Sequence, residues 1–218
     1  NDGHKSIPEL YERGVRNFVV SDLPSHMEDY ANANFLQVPN PLKGLQRLAE
    51  KHRELFQVPV IGITGSNGKT VVKEWLYQLL SPEKVITRSP RSYNSQIGVP
   101  LSVWLMNEST ELGIFEAGIS EMREMEALQS IIRPTIGVLT NIGGAHQENF
   151  FSLEDKCMEK LALFKDCDVV VYDGDNRLIS NCVSRSLFSS REIAWSRTDN
   201  ERPLFIESIE KGETSTTI

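Results

Sequence analysis

From Val58 onward the chain alternates short apolar runs with amphipathic stretches. Val60–Thr64 reads as a buried strand, and the glycine-rich turn Gly65–Lys69 leads from it into a helix over Thr70–Leu80. Val71, Val72, Trp75, Leu76, Leu79 and Leu80 are expected on one side of that helix. Leu112–Glu116, Thr135–Thr140 and Asp168–Tyr172 are further apolar strands. Helices over Glu121–Ile132, ended by Pro134, and from Ser152 to about Phe164 lie between them, with Asp155 at capping-box spacing from Ser152. Strands apolar on both faces, separated by helices, predict an α/β fold with a mostly parallel sheet covered on both sides. Glu192–Trp195 and Leu204–Ile209 read as late, antiparallel additions.

The first residues make a shorter α/β unit. Ser6 is placed to cap a helix through about Arg13, with Pro8 in its first turn and Gly14 just past its end. Strands follow at Val15–Val20 and Phe35–Val38, then a helix at Pro41–Phe56 whose Leu42, Leu45, Leu48, Ala49, Leu55 and Phe56 form a stripe. The boundary is expected near Gln57–Pro59, giving a partial N-terminal domain over 1–57 and a larger domain over 58–218.

Composition narrows the function. The 218 residues carry a net charge of −7, which argues against a nucleic-acid partner, since such proteins present a basic face. An acidic total still permits a local phosphate site built from backbone amides and one or two lysines. Cys157, Cys167 and Cys182 form no CxxC pair and suit reduced thiols in the cytoplasm. No apolar run reaches the length of a membrane span. The chain opens without Met and closes on the Thr-rich Glu213–Ile218, so it is expected to be a piece of a longer protein.

The stretch Thr64-Gly65-Ser66-Asn67-Gly68-Lys69-Thr70 carries the most chemistry. Glycines let successive amides of Gly65, Ser66, Asn67 and Gly68 converge on phosphate oxygens, and the helix N-terminus adds partial positive charge. Lys69 would reach the outer phosphates of ATP, and the Thr70 hydroxyl would hold Mg²⁺. The general pattern asks for glycine where Ile63 stands, so an ordinary strand–turn–helix junction is the competing reading.

In a parallel sheet, ligands lie beyond the carboxyl ends of the strands. Glu116, Asn141, Asp173 and Asp175 all follow strands and would share a rim with Lys69. Glu116 reads either as a Mg²⁺ carboxylate or as a strand-end partner of a lysine. His146, in a glycine-containing loop, reads equally as functional or as a surface residue, and Lys160 by itself reads as solvated.

These residues resemble the Mur ligases, whose shortened loop T-G-x-x-G-K-[ST] needs no glycine at position 63. Ser92–Leu101 resembles the family's N-[FY]-N-N-x-I-G-x-P-L segment, Glu116-Ala117-Gly118 its E-x-G, and Asn141–Phe150 its N-I-x-x-A-H-L-E-x-F. Asp2-Gly3-His4 looks like the end of its uridine-nucleotide domain. The chain is most similar to the members that join D-alanyl-D-alanine to UDP-N-acetylmuramoyl tripeptide in cell-wall synthesis, and Ser89–Tyr93 resembles versions fused to an alanine racemase. The resemblance implies that Thr70 and Glu116 bind one Mg²⁺ and that His146 binds a second. It also implies that Lys160 is carbamylated toward that second metal, that Asn141 lies near the transferred phosphoryl group, and that Asn94 and Ser95 touch the UDP-linked substrate. It implies as well a C-terminal ligase domain, without which the chain is expected to be inactive. Lys160-Leu161-Ala162 departs from the family's K-x-E. Another Mur-type or folylpolyglutamate-synthase-like ligase, or a nucleotide-binding module without activity, remain as alternatives.

Overall fold

Ile7, Phe18 and Val20 are the buried anchors of the N-terminal unit, which extends to Leu48. Its elements are α1 (Ile7–Glu12), β1 (Asn17–Val20), β2 (Asn34–Gln37) and the start of α2 (Pro41–Arg53). β1 and β2 pair in parallel with Phe18 opposite Phe35, their rings stacked at 5.1 Å. Ser6 makes no side-chain cap; Asp2 instead accepts the His4 amide at the start of a 3₁₀ turn that feeds α1. Gly14, at φ +93°, ends the segment as the sequence predicts. The computed structural model describes residues 2–144, 149–186, 189–212 and 215–217.

The second unit begins at Ala49, inside α2. The division falls there because Ala49 is buried in the main core and the Arg53 guanidinium donates to the carbonyls of Ile132 and Arg133. Next come β3 (Val60–Thr64), α3 (Lys69–Leu80), β4 (Ile86–Arg88), α4 (Gly98–Val103) and β5 (Leu112–Glu116). They are followed by α5 (Met125–Ile132), β6 (Ile136–Leu139), α6 (Leu153–Leu161), β7 (Val169–Asp173) and α7 (Arg177–Arg185). The last elements are β8 (Arg191–Ser196) and β9 (Leu204–Phe205), with β10 (Glu210–Lys211) and β11 (Thr216–Thr217) as a separate ribbon.

β3 to β9 form one seven-stranded sheet in the order β4-β5-β3-β6-β7-β8-β9, parallel throughout. The two late strands are therefore parallel, not antiparallel as the sequence suggested. α7 supplies a crossover between β7 and β8 that the sequence reading lacked. The segment expected as Leu204–Ile209 contributes only Leu204 and Phe205.

Alternate residues of β3 point to opposite faces. Ile61 and Ile63 pack with Leu112, Ile114 and the inner side of α3, while Val60 joins the larger core with Phe115, Leu128, Leu161 and Val170. α3 itself corrects an expectation. Val72, Leu76 and Leu80 face the sheet, but Val71, Trp75 and Leu79 are exposed one position further round the helix. The place left inward by that rotation is taken by Lys73, fully buried. α5 starts at Met125, later than Glu121, because Glu124 folds back to accept the amides of Ser120 and Glu121. Ser152 caps α6 as predicted, accepting the Asp155 amide at 3.0 Å.

Strand order reverses around β3, whose neighbours are β5 and β6. The crevice beyond the carboxyl ends of these strands is where doubly wound sheets bind ligands. Among the described residues no helix is long and apolar enough to cross a membrane.

Candidate phosphate and metal site

The turn after β3 has a shape only glycine allows. Gly65 sits at φ +144°, and a Cβ there would lie 2.0 Å from Thr140 Oγ1 and 3.0 Å from the Asn141 nitrogen. Gly68, at φ +80°, is the residue before α3 and turns the chain into its first turn. The leading amides of α3 have no intrahelical acceptors and carry the positive end of the helix dipole.

The loop after β6 braces this turn. The Asn141 carbonyl accepts the Ser66 amide at 2.8 Å, and Asn141 Oδ1 accepts the Asn67 amide at 2.9 Å. Thr140 Oγ1 donates to the Asn67 carbonyl at 2.6 Å, and Ser66 Oγ accepts the Gly143 amide at 2.9 Å. Lys69 Nζ folds over the turn onto the Gly65 carbonyl at 2.8 Å. Burial lowers the Lys69 pKa, Glu116 works against that shift, and Lys156 adds to it.

Beside the turn lies a carboxylate out of contact with solvent. Glu116, at the end of β5, is fully buried, and its Oε2 accepts the Thr70 hydroxyl at 3.0 Å. Thr70 has spent its one hydrogen there, so the hydroxyl of Ser92, 3.0 Å away, donates to it. Asn94 Nδ2 stands 3.5 Å from Glu116 Oε2, at the limit of a hydrogen bond. The other oxygen, Oε1, is 3.0 Å from Lys73 Nζ yet accepts no hydrogen bond. Lys73 donates to the carbonyls of Ser89 and Arg91 and pairs with the Glu74 carboxylate at 3.1 Å, so Glu116 Oε1 is met by the charge of an ammonium whose hydrogen bonds go to carbonyls.

An oxygen left without a donor in a buried place is chemically suited to a hard cation. A carboxylate, a threonine hydroxyl and nucleotide phosphate oxygens are the donor set Mg²⁺ prefers. Among the described residues no three His, Cys, Asp or Glu side chains converge as a metal cage, so the phosphates would have to complete such a site.

A cleft of about 150 Å³ opens here, lined by Gly65, Ser66, Lys69, Asn94, Ser95 and Lys160 among others. Ser95 Oγ also accepts the Gly98 amide, holding the start of α4. Lys160 is buried, and that burial, with Lys69 and Lys156 nearby, brings its pKa down to about 7. Lys156 is buried too and donates to the Gly143 carbonyl at 2.6 Å. The structure thus gathers Lys69, Thr70, Asn94, Ser95, Glu116, Asn141 and Lys160 at one rim. His146 lies outside the described residues. Asp175 turns instead to the β8 end, where Ser196, Thr198 and the Arg197 amide donate to it.

Sequence reasoning missed Lys73 and Lys156. Each had a signal: Lys73 stands one helical turn after Lys69, and Lys156 one turn before Lys160, so each pair shares a helix face.

Known proteins share this fold. Residues 63–218 match the Mur ligase middle domain. The UDP-N-acetylmuramoyl-tripeptide–D-alanyl-D-alanine ligase of Bacillus subtilis is 33% identical over 187 residues, covering 84% of this chain and 40% of the relative. The chain thus spans about two fifths of that relative's length. MurF from Acinetobacter baumannii superposes with a TM-score of 0.86 at 22% identity, over 96% of this chain and 45% of that one. That likeness concerns the fold. MurF ligase from Thermotoga maritima in complex with ADP superposes at 0.84 with 25% identity, over 98% of this chain and 48% of that one.

Proposed function

The chain belongs to the Mur ligase family, and from that premise we propose that it is the ATP-binding part of a ligase joining D-alanyl-D-alanine to UDP-N-acetylmuramoyl tripeptide. The observation that carries the reading is the glycine turn at the sheet's switch point, with Thr70 bonded to the buried Glu116 of the neighbouring strand β5. The relative named for that activity supports the choice of substrates.

In this reaction a terminal carboxylate oxygen of the tripeptide attacks the γ-phosphorus of ATP, and ADP leaves. The dipeptide's amine then attacks the acyl phosphate, forming the amide and releasing phosphate. Little covalent work falls to the protein, which positions groups and neutralises charge. The first-turn amides of α3 and Lys69 face the phosphates. Thr70 and Glu116 would hold Mg²⁺, which when bound offsets the negative charge of the phosphates. Asn141 keeps the turn in shape beside the transferred phosphoryl group, and Asn94 and Ser95 face the UDP-linked substrate. Lys160, with its pKa near 7, is substantially neutral at neutral pH, the form whose lone pair can add CO₂ to give a carbamate. With His146 it would serve a second Mg²⁺.

The test is phosphate release. In a protein where this chain is joined to the C-terminal ligase domain that the resemblance implies, with ATP and UDP-N-acetylmuramoyl tripeptide present, release that starts only on adding D-alanyl-D-alanine is the expected result. Release triggered by a different amino acid moves the chain to another branch of the family. Nucleotide binding without release for any acceptor reduces it to a binding module.

A further inference from the structure

Lys73 has no part in the reading above, yet it is among the largest fully buried side chains of the protein. A buried ammonium persists only where oxygens surround it. Here they come from three separate segments. Ser89 and Arg91 supply carbonyls from the stretch after β4, Glu74 a carboxylate from α3 itself, and Glu116 a carboxylate from β5. Arg88 in turn binds Glu74, closing the cluster on its outer side.

The segment held by those two carbonyls carries the rest of the site. Ser92 follows Arg91 directly and bonds Thr70, and Asn94 faces Glu116 while its carbonyl accepts the Gly118 amide at 2.8 Å. Ser89 Oγ accepts the amide of Glu116 at 3.1 Å. One side chain therefore touches both the carboxylate assigned to the metal and the stretch assigned to the substrate. Glu116 Oε1 itself accepts no hydrogen bond, although the ammonium stands 3.0 Å from it.

We propose that Lys73 is a positioning residue that couples the metal carboxylate Glu116 to the substrate-facing stretch 89–95. It holds the carboxylate by charge and the stretch by hydrogen bonds, so Mg²⁺-nucleotide capture and substrate-loop order depend on the same ammonium. This rests on the reading that Glu116 serves the nucleotide's Mg²⁺.

The experiment measures ADP binding to this chain by calorimetry with and without Mg²⁺, in the wild type, Glu116→Gln and Lys73→Met. Mg²⁺ should strengthen ADP binding in the wild type, and Glu116→Gln should remove that gain. In Lys73→Met, binding without Mg²⁺ should stay within about twofold of wild type, while the Mg²⁺ gain shrinks by about 10–100-fold, the usual effect of losing a metal ligand's supporting partner. Hydrogen exchange in 89–95 should quicken while β3 and β5 keep their protection. Equal losses with and without Mg²⁺ would mean a merely structural lysine and overturn the proposal, as would an undiminished Mg²⁺ gain. If Glu116→Gln keeps the gain, the metal assignment falls and the proposal with it. Should Lys73→Met fail to fold, Lys73→Arg takes its place. It keeps the charge, but its planar fork cannot meet the Ser89 and Arg91 carbonyls and both carboxylates from one point. A wild-type Mg²⁺ gain in that variant would equally overturn the proposal.

Discussion

Asn141 Oδ1 accepts the amide of Asn67 at 2.9 Å, so the loop after β6 holds the phosphate turn after β3 in place. That amide belongs to the turn whose shape decides how phosphate is met. Asn141→Ala removes the acceptor but keeps the backbone bond from Ser66. Nucleotide affinity is expected to fall about tenfold, the worth of one well-placed hydrogen bond, with little change in Tm. Calorimetry with ADP checks this, and unchanged affinity would remove Asn141 from the site.

Lys69 donates to the Gly65 carbonyl, a neutral acceptor on its own turn. Its burial already disfavours the charged form. Lys69→Ala should therefore leave thermal stability near wild type while weakening ATP binding by about 1.5–3 kcal/mol, the range for a charge-assisted hydrogen bond. A folded variant that still binds ATP like wild type would contradict the assignment of the turn.

At Gly65 the backbone itself is at stake. Gly65→Ala places a methyl group against Thr140 Oγ1, 2.0 Å away, in a region of φ that L-residues avoid. Thr140 would have to leave the Asn67 carbonyl. We expect about 1–3 kcal/mol of lost stability and a nucleotide site too distorted to measure. Normal ADP binding by this variant would show that the turn is more plastic than its contacts suggest.

Much of this fold was legible in the sequence because β3 and β5 are apolar on both faces, a signature of the interior of a parallel sheet. The edges were not. β4 is three residues of intermediate burial and β9 two exposed ones, and they gain their identity from pairing with β5 and β8. Helix α3 misled for a different reason. Its apolar residues recur on two adjacent stripes, and only packing decides that Val72 is inside and Val71 outside. The same ambiguity hid Lys73, since a lysine between apolar residues reads as solvated until three oxygen-bearing segments are seen around it. Lys69, Thr70 and Glu116 were legible because glycine spacing and a strand end are local signals. Asn141 was legible by place, but its bond to Asn67 joins residues far apart in the chain.

Lys160 makes stability depend on pH. Its pKa lies near 7 when folded, against an ordinary 10.5, mainly because burial disfavours the ammonium. Below pH 7 both folded and unfolded forms hold the proton, and the folded state bears the full cost of a buried charge. Between 7 and 10.5 the unfolded state binds more protons, so stability rises with pH, and above 10.5 the effect is complete. Lys160→Met removes this cost. In carbonate-free buffer its Tm should exceed wild type most below pH 7, by the equivalent of a few kcal/mol, with the advantage shrinking toward pH 10.5. A difference that does not vary with pH would contradict this account.

Asp175 separates the rim of the sheet from the site proper. By position it seemed a candidate alongside Glu116, yet its carboxylate is committed to the turn after β8. Ser196 and Thr198 donate to Oδ1 and the Arg197 amide to Oδ2, and these bonds lower its pKa, with the Ser196 hydroxyl contributing most. A carboxylate whose folded pKa is depressed stabilises the protein above its unfolded value of 3.8, and the benefit is lost as pH falls through the folded pKa. Asp175→Ala should therefore lower Tm at neutral pH, and the gap from wild type should close as the pH drops below about 4. ADP affinity should not change, because none of these partners belongs to the phosphate turn or to Glu116's surroundings. Thermal scans from pH 3 to 7, paired with ADP titration at pH 7, separate the two roles. Lost nucleotide binding in a variant that keeps its wild-type Tm would return Asp175 to the site.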